Sequence, residues 1–402
     1  MRRIATTLHR IAGLFLAGFL ILAGLTGSII AFHTELDRLI NPGVFVVERT
    51  TDPQPPSVWI QATEEAHPNA RVSFVVIPRV EDAPAVLYLA PRTNPATGEP
   101  HELKHTQVFV NRGTGEVLAS RDRSGMQFDR LHIIPFIYTL HYSLHLGKWG
   151  MLIFGIVAIV WFFDCFVGLY LAWPRRAWKA IKQAFTVKWG ASAQRVNYDL
   201  HRASGLWFWL VLAVLAFSGM SMNLHDVVFE PLLKLISPMT EMPAEALPVR
   251  EEPESPLAAP LGEAIARSEA GLADAGMEGT LGSIWIDAHK GVYNLGYHTP
   301  QDIMHDYAGA WVSVSGDASQ VLGVRPPGGV TLGDAIHDWQ FPLHSGRAFG
   351  LGGRIFIAIT GIVVALLSVT GVLIWWRKRQ RRKKGKSQED ADLGSDSLSA
   401  SA

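Results

Sequence analysis

Fifteen histidines and a single cysteine, Cys165, are the soft ligands of this 402-residue chain. One cysteine excludes an intrachain disulfide, a cysteine-based zinc site, an iron–sulfur cluster and the covalent attachment of a c-type haem. An internal repeat orders the histidines. Leu8-His9-Arg10 recurs as Leu200-His201-Arg202, and at that offset of 192 Gly13 matches Gly205, Gly27 matches Gly219 and His33 matches His225. A second offset, 203, matches His141 with His344, Gly147 with Gly350, Gly150 with Gly353, Gly168 with Gly371 and Trp173 with Trp376. A parallel repeat implies a pseudo-two-fold axis across which matched residues face each other. His9 then meets His201 near one membrane surface, while the pairs His141/His344 and His33/His225 gather at the other.

Imidazoles facing each other on apolar helices, with no cysteine for covalent attachment, suit the axial ligation of a non-covalent b-type haem. Pairs at both faces would make an electron path across a bilayer. Gly13, Gly205 and Gly27 would leave room for a flat macrocycle, with Trp207, Trp209 and Phe15 at its edges. A second reading takes the same histidines as amphipathic anchors at the interfaces, since a duplication copies neutral residues as faithfully as functional ones. Spacing alone leaves both open. His145, one helical turn after His141, is placed on the same face as an alternative ligand or a surface residue; its repeat mate is Ala348. Asp226 and Glu35 are candidates to hold His225 and His33 through hydrogen bonds. Asp164 is a mid-span carboxylate, which costs about 2.5–3.5 kcal/mol on insertion scales. It is expected to carry protons, to pair with a histidine, or to sit protonated against a neighbouring helix. Cys165 reads as a small buried apolar residue. His101, His105, His289, His298 and His305 show no trustworthy metal-ligand spacing.

These residues must be positioned by membrane helices. The chain is 48% hydrophobic and 18% charged, with a mean hydropathy of +0.17, which points to a membrane protein. Thirty-six basic residues balance thirty-six acidic ones, so net charge gives no case for nucleic acid as partner. Residues 11–32, 203–224 and 355–376 contain no charge, and 149–173 contains only Asp164, which gives four spans. Basic residues cluster at Arg2, Arg3 and Arg10, from Arg175 to Arg195, and from Arg377 to Lys386, and these segments are expected to be cytoplasmic. The first span reads as an uncleaved anchor.

The chain then divides into a cytoplasmic start with the first span (1–33), a periplasmic α+β domain (34–130) and a second span with a periplasmic extension (131–174). A basic loop (175–200), a third span (201–225), a second α+β domain (226–343), a fourth span (344–376) and a basic, then disordered, tail (377–402) follow. In the first domain 71–77, 85–90 and 107–118 read as strands, the last as a hairpin turning at Gly113 and Gly115. In the second, 281–287, 291–297 and 310–322 repeat that order, and 242–260 reads as a solvated linker. No nucleotide-binding glycine motif, nucleophile–base set or HExxH is present. Electrons would therefore arrive from a quinol or a separate reductase.

At this point the residues resemble a known pattern. An apolar helix opened by Leu8-His9-Arg10 ends in PheHisThrGluLeuAsp (32–37) with AsnPro at 41–42, and TyrThrLeuHis (138–141) and GlyLysTrpGly (147–150) lead a helix closing with GlyLeuTyrLeuAlaTrpProArgArg (168–176). ProLeuHisSerGlyArg (342–347) and GlyValLeuIleTrpTrpArgLysArg (371–379) repeat it. The chain resembles the PepSY-associated transmembrane family, also called iron-regulated membrane proteins, over all but its C-terminal tail. The resemblance implies four helices with two small PepSY-like periplasmic domains in a bacterial inner membrane. It also implies a reductase that passes electrons through two haem b groups to a periplasmic ferric siderophore or other ferric chelate. By matching position, His9, His201, His141, His344 and His33 are its haem-ligand candidates, with His225 and His145 added from the repeat and the local spacing; Asp164, Cys165 and His145 lie outside the family pattern. PepSY as a peptidase-inhibitory module supports a different reading, a membrane-anchored protein that binds a peptide, protease or partner without a redox cofactor.

Overall fold

The structure is a computed structural model that describes residues 1–174, 178–242, 244–250, 253 and 257–399. Arg175 and Arg176 of the basic loop, parts of the 242–260 linker and the last three residues of the tail lie outside the described residues. Along the chain run α1 (Arg2–Ile30), α2 (His33–Ile40), α3 (Pro42–Phe45), α4 (Pro56–Ala66), β1 (Ala70–Val76), β2 (Ala85–Pro91), β3 (Gln107–Val110) and β4 (Val117–Arg121). Next come α5 (Ile133–Ser143), α6 (Gly147–Ala172), α7 (Trp178–Ala184), α8 (Ala193–Asn223), a π turn (His225–Phe229) and α9 (Glu230–Lys234). The rest is α10 (Leu261–Asp274), β5 (Thr280–Asp287), β6 (Val292–His298), β7 (Ala310–Ser315), β8 (Val321–Arg325), α11 (Leu332–Asp338), α12 (Gln340–Ser345) and α13 (Gly350–Ser399). Two compact units form, one of residues 1–29, 141–224 and 356–402, the other of residues 30–140 and 225–355.

The first unit is a bundle of α1, α6, α8 and α13, the four helices long and apolar enough to cross a membrane. Leu16, Leu20, Phe154, Val157, Leu212, Ala213 and Val364 fill its centre. Large apolar side chains such as Ile11, Leu25, Phe163, Leu210, Ile362 and Val369 also face outward. A helix apolar on both faces suits a lipid surround, where every backbone group is satisfied within the helix. Gly24 and Gly361 let α1 and α13 touch backbone to backbone, since a Cβ on either would strike the other's carbonyl oxygen. Ser28 Oγ donates to Ala358 O across that contact at 2.7 Å, a small-residue interface of the kind membrane helices use.

The second unit is built on one antiparallel sheet ordered β4-β3-β2-β1-β5-β6-β7-β8. The two expected α+β domains are thus one sheet. They join where β1 meets β5, with Phe74 opposite Trp285, Val75 opposite Ile284 and Val76 opposite Ser283. Each half carries one helix, α4 or α10, and a single core runs through both, including Trp59, Val75, Leu87, Ile284, Leu295 and Val312. The sequence hides this because an edge strand and a paired strand share the same alternation. α2 is tied to the sheet by the buried pair Asp37 and Arg121, Oδ2 to Nη2 at 3.2 Å. At the other end of the chain, where composition suggests disorder from Gly385, the backbone of α13 continues as helix through Ser399, a proline-free stretch.

Candidate functional site

In the first unit α1 and α8 bring His9 and His201 together, ring centres 6.1 Å apart and planes tilted by 55°. With a metal–nitrogen bond of about 2 Å and about 1 Å more to each ring centre, imidazoles on opposite sides of one metal lie about 6 Å apart, and at a tetrahedral angle about 5 Å. The observed 6.1 Å leaves room for one metal between the two rings.

Both rings are oriented through Nδ1. His9 Nδ1 lies 2.9 Å from Asp164 Oδ1 on α6. His201 Nδ1 lies 3.0 Å from Leu367 O and 3.1 Å from Thr370 Oγ1, both on α13. A carboxylate and a carbonyl only accept, so in the neutral ring Nδ1 carries the hydrogen and Nε2 keeps its lone pair. That is the tautomer a metal needs, fixed by an outer hydrogen bond. Asp164 and Leu367 are repeat mates, so one position supports both rings, once by side chain and once by backbone. Gly168 and Gly371, also mates, complete the arrangement: a Cβ would lie 3.4 Å from His9 Cε1 at Gly168 and 3.1 Å from His201 Cε1 at Gly371. Nothing lies within 4 Å of a Cβ built on Gly13. Donor chemistry, spacing and glycine cradles fit a group that two imidazoles would hold between them.

His141, at the end of α5, is supported in a related way. Its Nδ1 is 3.0 Å from Thr26 Oγ1 on α1, and a Cβ on Gly27 would come within 2.9 Å of its Cε1. Gly27 therefore seats an imidazole rather than a macrocycle face. His344 lies in α12. A pattern emerges that spacing did not single out: Thr26-Gly27, Ser218-Gly219 and Thr370-Gly371 each pair a hydroxyl residue with a matched glycine. The fourth member is Val167-Gly168, and that helix is the one carrying Asp164.

In the second unit His33 and His225 keep separate company. His33 Nδ1 is 3.2 Å from Ile30 O and 3.3 Å from Arg347 Nη2, and its ring packs 5.7 Å from Tyr138. Burial, and then the Arg347 charge, push His33 down to about 4, so it is neutral at pH 7. Glu35 does not hold it; both Glu35 oxygens take Arg354 at 2.6 Å, because a guanidinium fork matches a carboxylate better than one imidazole does. His225 Nδ1 is 2.7 Å from Asp226 Oδ1, and its ring lies 5.1 Å from His337.

His145 does not share a helix face with His141. α5 ends at Ser143, and Leu144, His145 and Gly147 adopt left-handed φ of 54°, 55° and 54° as the chain turns into α6. Two consecutive non-glycine residues there are unusual and mark a strained corner. Trp207 is 68% exposed and donates Nε1–H to Phe185 O at 3.0 Å, so it faces outward rather than packing a cofactor edge. Phe15 is also exposed and packs on Phe19, while Trp209 stacks edge-on with Phe166.

Comparison with curated proteins returns no match. Among protein families, the model of the PepSY-associated TM region matches residues 6–378, and the chain belongs to that family.

Proposed function

We propose that the protein is a b-type haem protein of a bacterial inner membrane that carries electrons outward to reduce a ferric siderophore or similar ferric chelate. The observation that carries this reading is the His9–His201 pair: ring centres 6.1 Å apart, both Nδ1 atoms held by acceptors and a glycine behind each ring. Haem, when bound, supplies one-electron chemistry without needing an open coordination position. His9 and His201 would hold one such group. Asp164, Leu367 and Thr370 fix the ring tautomers beside an apolar helix core. The basic segments support cytoplasmic termini and a periplasmic sheet unit. Electrons would come from a quinol or a separate reductase. Iron release follows because Fe(II) is a poorer match than Fe(III) for hard oxygen donors.

Absorbance of the detergent-purified protein, oxidised and then dithionite-reduced, tests this. A sharp α-band in the reduced state, lost in His9→Ala and His201→Ala, is expected. Protein that stays colourless after expression with ample haem would sink the reading. In that case the alternative, a PepSY-type protein binding a peptide or protease, becomes the better account.

A further inference from the structure

A second set of ligand-bearing side chains shares no residue with the His9–His201 site. After α8 the chain makes one π turn over His225–Phe229 before α9 begins at Glu230. A π turn closes i to i+5, so residues five apart come to one face, and such turns concentrate at functional sites. Here the residues five apart are His225 and Glu230. One donor atom each from His225, Asp226 and Glu230 lies within 4.8 Å of the others. Lys234 holds Glu230 Oε1 at 2.7 Å, which leaves Oε2 toward His225, 3.8 Å from Nδ1.

A second imidazole comes from α11. His337 packs on His225 with ring centres 5.1 Å apart and planes at 76°, an edge-to-face contact that orients the His225 ring while leaving His337 outside the group whose donor atoms converge. His337 Nδ1 lies 2.9 Å from Asp338 Oδ1, and Arg325 grips the same carboxylate at 3.0 and 2.9 Å. Carboxylate–imidazole support of this kind fixes the tautomer that leaves Nε2 as a lone pair. His225 Nε2 is buried with no hydrogen-bond partner among the described residues. Phe229 packs on both rings, at 6.1 Å from His225 and 6.4 Å from His337. Asp226, 89% exposed, marks the solvent side.

We propose that His225, Asp226 and Glu230 bind a divalent first-row transition-metal ion, with His337 as a positioning residue against the His225 ring. Imidazole nitrogen beside carboxylate oxygen selects such ions over Ca²⁺ or Mg²⁺, which take all-oxygen shells. Asp338 positions His337 without ligating. The site stands on these residues alone; the ferrous ion freed by reduction of a chelate belongs to the class it would accept.

Equilibrium dialysis of the full-length, detergent-purified protein against zinc alone tests the proposal, with bound zinc counted per chain. Wild type is expected to take up one ion at micromolar free zinc that the double variant Asp226→Asn/Glu230→Gln fails to retain, with at least a tenfold loss of affinity in each single variant. His337→Ala and Asp338→Asn, which keep every ligand, should weaken binding less than Glu230→Gln. Asp226 is 89% exposed, so Asp226→Asn supplies the comparison should His337→Ala not fold. Equal zinc occupancy in wild type and Asp226→Asn/Glu230→Gln, or no uptake by wild type, overturns the proposal. Absorbance of the same samples reports haem separately: zinc-binding but colourless protein supports this site while sinking only the haem reading.

Discussion

Asp164 accepts a hydrogen bond from His9 across 2.9 Å, from the position that Leu367 occupies in the second half of the chain, where the backbone carbonyl of Leu367 takes His201 at 3.0 Å. The duplication has diverged in chemistry while keeping the geometry. A carboxylate partner makes an imidazole a stronger donor and favours the ferric over the ferrous state. On the proposed haem reading, Asp164→Asn and Asp164→Leu should each raise the midpoint potential of the group that His9 and His201 would hold. Spectroscopic redox titration reads the shift. Identical potentials in wild type and Asp164→Leu would remove any tuning role for the carboxylate.

The glycines behind the imidazoles predict a graded series. A Cβ would meet the ring at 2.9 Å from Gly27, 3.1 Å from Gly371 and 3.4 Å from Gly168. The first requires His141 to shift, the second strains His201, and the third is ordinary contact. Overpacking of this sort costs about 1–3 kcal/mol. Haem content per chain should therefore fall in the order Gly168→Ala, Gly371→Ala, Gly27→Ala, with Gly168→Ala close to wild type. Equal haem content in all three would mean that the rings have slack the geometry does not show.

Four spans, the His9–His201 pair and most strand positions were legible because apolar runs, two-residue alternation and repeat offsets are local signals. The Asp164–His9 contact was one of several readings of a mid-span carboxylate; choosing among them required knowing that α6 faces α1 at that depth. The β1–β5 seam was hidden, since pairing between strands some two hundred residues apart leaves no local mark. His145 misled for a related reason. Its spacing from His141 suits a continuous helix, yet the chain breaks at Leu144 and His145 into left-handed φ, and no glycine announces that break before Gly147. His337 was passed over because no motif links it to His225.

Asp334 anchors the segment that leads to α12. It accepts from Thr240 N and Oγ1 at 2.8 and 2.7 Å and from the amides of Val330 and Thr331 at 3.0 Å, while Thr331 caps α11 reciprocally. Burial works to raise its carboxyl, but the Thr240 hydrogen bonds, then those of Val330 and Thr331, outweigh it and hold it well below the usual carboxylate range. A depressed folded-state value stabilises the fold above the unfolded value, about 3.9, and that contribution fades as pH falls below it. Melting temperature should be insensitive to this group from pH 7 to pH 5 and drop beneath about pH 4. Asp334→Ala, which orphans several buried donors, should cost about 3 kcal/mol or more at pH 7. A melt unchanged in Asp334→Ala would show that water replaces the carboxylate.

Orientation can be read from the lone cysteine. Cys165 is buried on α6, so in a Cys165→Ala background a new cysteine is the only thiol. Lys188, between α7 and α8, and Thr97, between β2 and β3, are both exposed. The basic residues around Lys188 predict a cytoplasmic position, whereas Thr97 belongs to the sheet unit assigned to the periplasm. A membrane-impermeant maleimide should label Thr97→Cys in intact spheroplasts and Lys188→Cys only after the membrane is opened. The reverse pattern would turn the protein over, deliver electrons inward and rule out reduction of a periplasmic chelate. Labelling of both sites in intact spheroplasts would contradict the span count itself, because one span, α6, separates the two positions.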